Sequence, residues 1–400
     1  MKRRRKIAVA LLALLLLSQA PFAYRSYRLR RLGAAVDELS AGRSPTADEG
    51  LEEYAGVFHV HSLLGGHSTG TLEEIVRAAK AERLAFVVMT EHPQPRLDTS
   101  AATLRGFHEG VLFVGGSELV ASDGGRLFVA PGVAAPEKNP PLQELVTRAK
   151  SEGRLAVVGY PEEARDRGLS GFDGVEIYNL YTNARRINYA AMLFDGLWSY
   201  WGRPELLFAR FYERPAENLR RWDEYNAKGA GRAYAYAGND AHANVGWDLQ
   251  DKDGRKILDL KLDPYERSFR LVRTHVLLRK DEPLDEQSLL AALGRGSFFL
   301  SFDLFGDPSG FRFTADDGAV MGGEVSLPPG GEVRLKVSLP VRARTVFYRD
   351  GQAVQEVADA TQASMAAGQK GVYRVEIYLD RLGSLLERRP WIISNPIFVR

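Results

Sequence analysis

Gly56-Val57-Phe58-His59-Val60-His61-Ser62, followed across Gly65-Gly66 by His67, is the stretch on which the reading of this chain turns. Three of the seven histidines fall within it. On a strand, residues two apart point to the same side, so His59 and His61 can face one ion together. The Gly65-Gly66 turn lets the chain fold back and bring His67 to the same cavity. The competing reading is a polar edge strand with two solvated histidines, and a motif this short does not separate the two by itself.

The neighbouring segments do separate them. Thr71-Leu72-Glu73-Glu74 reads as a capped helix start, with Ile75, Ala78, Ala79 and Leu84 facing inward. Ala85–Thr90 is a continuous apolar run, the type of a strand buried on both faces, and it ends in Glu91-His92-Pro93. Val111–Val114 ends in Gly115-Gly116-Ser117-Glu118. Asp123-Gly124-Gly125 marks a hairpin. Further strands read at Leu155–Val158, before Gly159-Tyr160-Pro161, and at Val175–Asn179. A long aromatic-rich helical stretch spans about 184–227, and Ala233–Ala237 leads into Asn239-Asp240-Ala241-His242. This alternation of strand and helix is the rhythm of a parallel α/β barrel, whose chemistry sits at the carboxyl ends of its strands. His59, His61, His92, Glu118, Asp240 and His242 all fall at or just past such ends, which chance placement explains poorly.

Composition narrows the chemistry. With 400 residues and 45% hydrophobic content the chain can bury a large core, as two domains or a barrel with an appendage. Its 53 basic and 51 acidic residues leave a net charge of +2, and no nucleic-acid partner is expected. It has no cysteine, so disulfides, thiolate nucleophiles and cysteine-ligated metals are excluded. Any metal must use His, Asp and Glu.

Lys2–Lys6 is wholly basic, Ile7–Leu17 is apolar, and Ser18-Gln19-Ala20-Pro21 follows. This is the shape of an export signal or of an uncleaved anchor. Pro21 disfavours cleavage after Ala20, and an anchor would place Met1 in the cytoplasm. The expected location is the cell envelope, either anchored and facing the periplasm or outside, or secreted. From Arg25 onward a polar, partly helical stalk is expected, ending near Ser44-Pro45.

Taken together, His59-Val60-His61-Ser62 with His67, Thr90-Glu91-His92, Gly116-Ser117-Glu118 and Asn239-Asp240-Ala241-His242 resemble the PHP family, the polymerase and histidinol phosphatase superfamily of metal-dependent phosphoesterases. The resemblance covers roughly Tyr54–Phe305. It implies an α/β fold, a distorted (β/α)7 barrel with up to three divalent metals, commonly manganese, zinc or iron. By that resemblance His59, His61, Glu118 and Asp240 hold one metal and His67, His92 and His242 a second. Seven ligands over two ions suit imidazole and carboxylate sites.

Two positions depart from the family pattern. Arg126 and Tyr160 stand where histidines of a third metal site are expected, so the centre should be at most dinuclear. Arg126 is a candidate clamp for a substrate anion, since its fork fits phosphate or carboxylate; it could equally be a solvated hairpin residue. Tyr160 is a candidate for bonding the leaving oxygen, or a buried structural tyrosine. Asp240 or His242 could shuttle a proton to and from a metal-activated water. Arg185 and Arg186 are further candidate phosphate contacts or a solvated helix face. His275, in an apolar strand, reads as a core histidine. Phe194, Trp198, Tyr200, Trp201, Phe208, Phe211 and Tyr212 read as core packing, or as a lid or membrane-facing surface.

Beyond Gly306 the pattern changes to short alternating runs broken by Pro328-Pro329-Gly330-Gly331 and Asp350-Gly351. That is the signature of an antiparallel β-sandwich, and Gly371–Glu376 and Trp391–Ile397 resemble the tail of exported PHP relatives. The expected division is a signal peptide or transmembrane anchor over 1–24, a polar linker over 25–53, the metallohydrolase domain over 54–306 and a β-sandwich over 307–400. The expected function is a metal-dependent phosphoesterase acting on a small-molecule phosphoester. An ester, amide or carbamate hydrolase on the same centre, and a non-catalytic envelope binding protein, remain as alternatives.

Overall fold

The computed structural model describes residues 2–44, 50–164, 168–184, 189–199, 204–210, 212–229, 231–244, 246–250, 256–261 and 263–400. Helix α1 (Lys2–Ala41) is a single unbroken helix with Pro21 inside it. Its first part is exposed: Leu11, Leu14, Leu15, Leu16 and Leu17 all face outward. The second part is not a free stalk. Leu29, Leu32 and Val36 are buried against the body of the protein, because they repeat at three- and four-residue spacing and so share one face.

The body is a mixed α/β structure built on one 13-stranded and one five-stranded sheet. Strand β1 (Leu51–Val60) carries the opening motif and pairs in parallel with β2 (Phe86–Met89). Helix α2 (Leu72–Ala81) connects them. Its capping box is complete: Thr71 Oγ1 accepts from Glu74 N, and the Glu74 carboxylate accepts from Thr71 N. The second sheet runs β3 (Ser117–Val120), β4 (Arg126–Ala130), β5 (Leu155–Gly159), β6 (Gly174–Asn179) and β7 (Tyr234–Gly238). β3 to β5 pair antiparallel, and β5 to β7 pair in parallel. Two bridges tie the sheets together at both edges, Val60 to Ala241 and Glu91 to Ser117. Both lie where the strands end, so the polar residues of the motifs converge there.

On its other side β1 pairs antiparallel with β8 (Arg273–Arg279), and β8 with β9 (Phe298–Ser301). The carboxyl-terminal strands are antiparallel, but they do not stand apart as a sandwich. β13 (Ile392–Ser394) pairs with β9, Leu300 opposite Ile393, and also with β12 (Gly371–Tyr378). The main sheet therefore runs on through the boundary expected at 306/307. The long β10 (Val333–Arg349) pairs with β12 and with β11 (Gln352–Ala367). The reason the strands join is visible in composition: Ile392, Ile393, Phe299 and Leu300 are all buried, and apolar edges left open would be exposed. A buried ion network closes the seam. Arg374 is 1% exposed, bonds both carboxylate oxygens of Asp223 at 2.8 Å and reaches Glu376 at 2.7 Å. Asp223 sits on α6, as labelled after α3 (Leu142–Ser151), α4 (Leu180–Ala184) and α5 (Tyr189–Ser199); α6 spans Ala216–Ala227. A charge this deep must be paired, so the network fixes α6 against β12.

Candidate metal centre

His59 sits in a bulge. The register of β1 on β2 shifts between Phe58 and Val60, and His59 has φ 69°. Simple alternation therefore does not aim its ring; the bulge does. Asp240 (φ 46°) and Tyr160 (φ 45°) share this left-handed backbone. Such conformations cost about 1–3 kcal/mol each and are held only where the surroundings over-determine them.

The side chains meet around Glu118. Its Oε2 lies 3.2 Å from Nε2 of both His59 and His61 and 3.5 Å from His92 Nε2. Asp240 Oδ1 lies 3.3 Å from His59 Nε2, 3.6 Å from His61 Nε2 and 3.4 Å from His242 Nδ1. His92 and His242 stack on the two faces of His61, with centroids 4.8 and 4.5 Å away. His67 stands at the exposed mouth, its Nε2 2.5 Å from His242 Nε2. All seven residues expected as ligands thus come to one place.

Among the described residues, two overlapping groups have their ligand atoms within 4.8 Å of one another: His59, His61 and Glu118, and His61, His67 and His242. His61 belongs to both, whereas the sequence assigned it to one. The reason is its central position between the stacked rings.

The donor set fits a metal on three counts. First, both ring nitrogens of His61 are buried without an aligned hydrogen-bond partner; Nε2 is near Glu118 but does not point at it. An orphaned buried polar atom is costly, and an ion satisfies this one. Secondly, the imidazoles are poised neutral. Burial pushes His61 down to about 3 and His92 down to about 4, and it lowers His242 as well. Nδ1–H of His242 donates to the Asp240 carbonyl at 2.8 Å, which turns a bare Nε2 toward His67. Thirdly, the carboxylates are poised charged. Burial alone would raise Glu118, but its bond to His59 and the close His61 ring hold it well below the usual range; Asp240 is lowered too, against burial, by the nearby histidines. His59 differs. Burial opposes its charge, yet Asp240 and Glu176 raise it well above the ordinary histidine value. His59, Glu118 and Asp240 would hold a metal here, whose positive charge would stand in for the proton on His59.

The positions of Arg126 and Tyr160 decide between their two readings in part. Arg126 is not a free hairpin residue: its Nη1 donates to Glu118 Oε1 at 2.6 Å, and the guanidinium lies 4.6 Å from the Tyr160 ring centroid. Glu118 thus offers one oxygen to the histidines and the other to an arginine. Tyr160 is buried and its hydroxyl donates to Asp240 Oδ2 at 2.6 Å. Arg185, Arg186, Tyr200, Trp201 and Phe211 lie outside the described residues.

Sequence reasoning missed the supporting shell. His59 Nδ1 is 2.6 Å from Glu176 Oε1, and Asn179 Nδ2 donates to both Glu176 and Asp240. Holding Nδ1 turns Nε2 inward. The signal was present: a charged residue inside the buried run Val175-Glu176-Ile177 needs a partner. A Cβ on Gly238 would collide with Glu176 Oε1 and His59 Nδ1, so only glycine fits. Glu91 accepts from Ser62 N, Ser62 Oγ and Thr103 Oγ1, which braces the turn after His61.

No family model matches the chain, and no curated protein matches it. Among solved structures, it is similar to a two-domain protein from Bacteroides vulgatus containing a predicted PHP-like metal-dependent phosphoesterase, at 14% identity and a TM-score of 0.36, over 88% of this chain and 98% of the other. It is also similar to PsfC from Pseudomonas syringae, at 15% identity and a TM-score of 0.33, over 60% of this chain and 88% of the other.

Proposed function

We propose that this chain is a metal-dependent hydrolase anchored to a membrane, with small phosphoesters as its substrate class and two divalent ions, manganese, zinc or iron, in its centre. The observation that carries the reading is the fully buried His61, whose two ring nitrogens find no hydrogen-bond partner among the described residues, set among the other imidazoles, Glu118 and Asp240. On this reading residues 1–24 form the anchor, 54–306 the hydrolase in a distorted seven-stranded β/α barrel, and 307–400 one wall of it. Helix α1 is long and apolar enough to cross a membrane, and none of its most apolar window is buried.

When bound, such ions activate water and polarise the substrate's oxygen. The chain's own residues do the rest. Glu176 holds Nδ1 of His59 so that Nε2 faces the centre. Tyr160 and Asn179 fix Oδ2 of Asp240 and leave Oδ1 toward the histidines. Asp240 Oδ1 and the bare Nε2 of His242, both facing the centre, are the groups placed to take up a proton there. Arg126 sets a planar cation at the rim, 31% exposed, which suits an anionic phosphoryl group better than a neutral ester.

Metal analysis of the purified protein, with turnover of phosphomonoesters, phosphodiesters and carboxylic esters under added manganese, zinc or iron, tests this. At least one tightly bound metal and phosphoester turnover are expected. Carboxylic-ester turnover alone would move the reaction to an ester hydrolase. Protein without tightly bound metal would leave a binding protein.

A further inference from the structure

Helix α5 is apolar along its length, Tyr189-Ala190-Ala191-Met192-Leu193-Phe194-Asp195-Gly196-Leu197-Trp198-Ser199. Its one charge, Asp195, is buried and paired with Arg25 of α1 at 2.7 Å. Three of its large side chains face outward: Phe194 is 38% exposed, Leu197 64% and Trp198 42%. They follow i, i+3, i+4 spacing and so share one face.

This face lies beside the upper end of the apolar part of α1. Phe22 and Phe194 rings are 5.1 Å apart, Ser26 Oγ donates to the Trp198 carbonyl, and Trp198 Nε1 donates to Gln19 Oε1. Tyr24 and Tyr27 of α1 are exposed in the same neighbourhood. From Lys6 to Tyr24 a helix rises about 27 Å at about 1.5 Å per residue, close to the roughly 30 Å of a hydrocarbon core. Tyr24, Tyr27 and Trp198 then fall at the lipid–water boundary, where tyrosine and tryptophan concentrate. Arg28, Arg30 and Arg31 are exposed just beyond, at headgroup height.

We infer that α5 docks into the interfacial layer of the same bilayer that α1 crosses, its Phe194–Leu197–Trp198 face in the lipid and the arginines on anionic headgroups. The inference rests on the anchored reading of α1.

The test uses the full chain in vesicles of phosphatidylcholine and phosphatidylglycerol, a share of whose acyl chains are brominated to quench tryptophan at short range. Quenching is expected, and it should drop in Trp198→Phe. Leu197→Glu, which changes an outward-facing residue, should reduce quenching of Trp198 while leaving the fold intact by circular dichroism. Alkaline carbonate extraction is run alongside. Protein that stays in the membrane but is quenched equally with and without Trp198 overturns the docking alone. Protein that carbonate releases overturns the anchor and the docking with it. A stable dimer in detergent, with no Trp198 quenching in vesicles, would give the face to a second copy and overturn the proposal.

Discussion

Two buried histidines, one just past the end of a strand and one on the strand beside it, divide the molecule's chemistry between them. His61 follows the end of β1; His275 lies on β8, opposite Ala55 of β1. Both are almost wholly buried and both have carboxylates close by. At His275 each ring nitrogen has a partner: Nδ1 faces Glu53 at 2.9 Å and Nε2 faces Asp303 at 3.1 Å. Arg312 balances Glu53 at 2.7 Å. At His61 neither nitrogen is satisfied. Burial and charged neighbours alone do not mark a ligand. What marks it is a lone pair that the protein leaves without use.

That contrast breaks first at its strongest point. His61→Ala should remove metal and turnover together, by more than the roughly 100-fold that loss of an outer partner costs, and His275→Ala should leave metal content unchanged. Metal analysis of both variants decides it, and retained metal in His61→Ala would end the distinction. Next, Glu176→Gln should weaken metal binding by about 10- to 100-fold, because it loosens the ring of His59 without removing a ligand; competition with a chelator measures this.

The closed end has its own signature in pH. Burial opposes protonation of His275, but Asp303 and Glu53 raise it to about 9. A group raised in the folded state stabilises fully below its unfolded value, near 6.5, and loses that contribution as pH climbs through about 9. The protein should therefore lose on the order of 3 kcal/mol between those limits, and His275→Gln should flatten that alkaline slope in denaturant titrations at each pH. The smallest expected effect is at the rim. Arg126→Ala, assayed with metal in excess because the residue also braces Glu118, should raise KM for a phosphoester by about tenfold, the scale of one charge-assisted contact. Unchanged KM and kcat would reduce Arg126 to a brace for Glu118.

Much of the centre was legible because its ligands are chemically distinctive and fall at strand ends. The rhythm of the elements put His59, His61, His92, Glu118, Asp240 and His242 at strand ends, the Gly65-Gly66 turn added His67, and the family resemblance grouped the seven as ligands. The supporting shell was not legible in the same way. Glu176 reaches His59 from 117 positions away, a pairing that only the register of β6 on β7 and the bulge in β1 create. The carboxyl-terminal region misled for a related reason. Alternation reports that a strand has one buried face, but not which sheet it joins, and the pairing of Ile393 with Leu300 is a fact of tertiary packing. In α1, the polar residues after Arg25 suggested a stalk, while the spaced Leu29, Leu32 and Val36 were the better guide.

The left-handed backbone at His59, Tyr160 and Asp240 bears on how such a centre can change over time. Each position would be relaxed by glycine, and each glycine would delete a working side chain. On the proposed function, random drift toward a sturdier fold therefore runs directly against the chemistry assigned to these three places. A directed search for thermostable variants that retain turnover should find its gains elsewhere, in loops and on the surface, and any glycine recovered at one of the three should come from a line that has already lost activity.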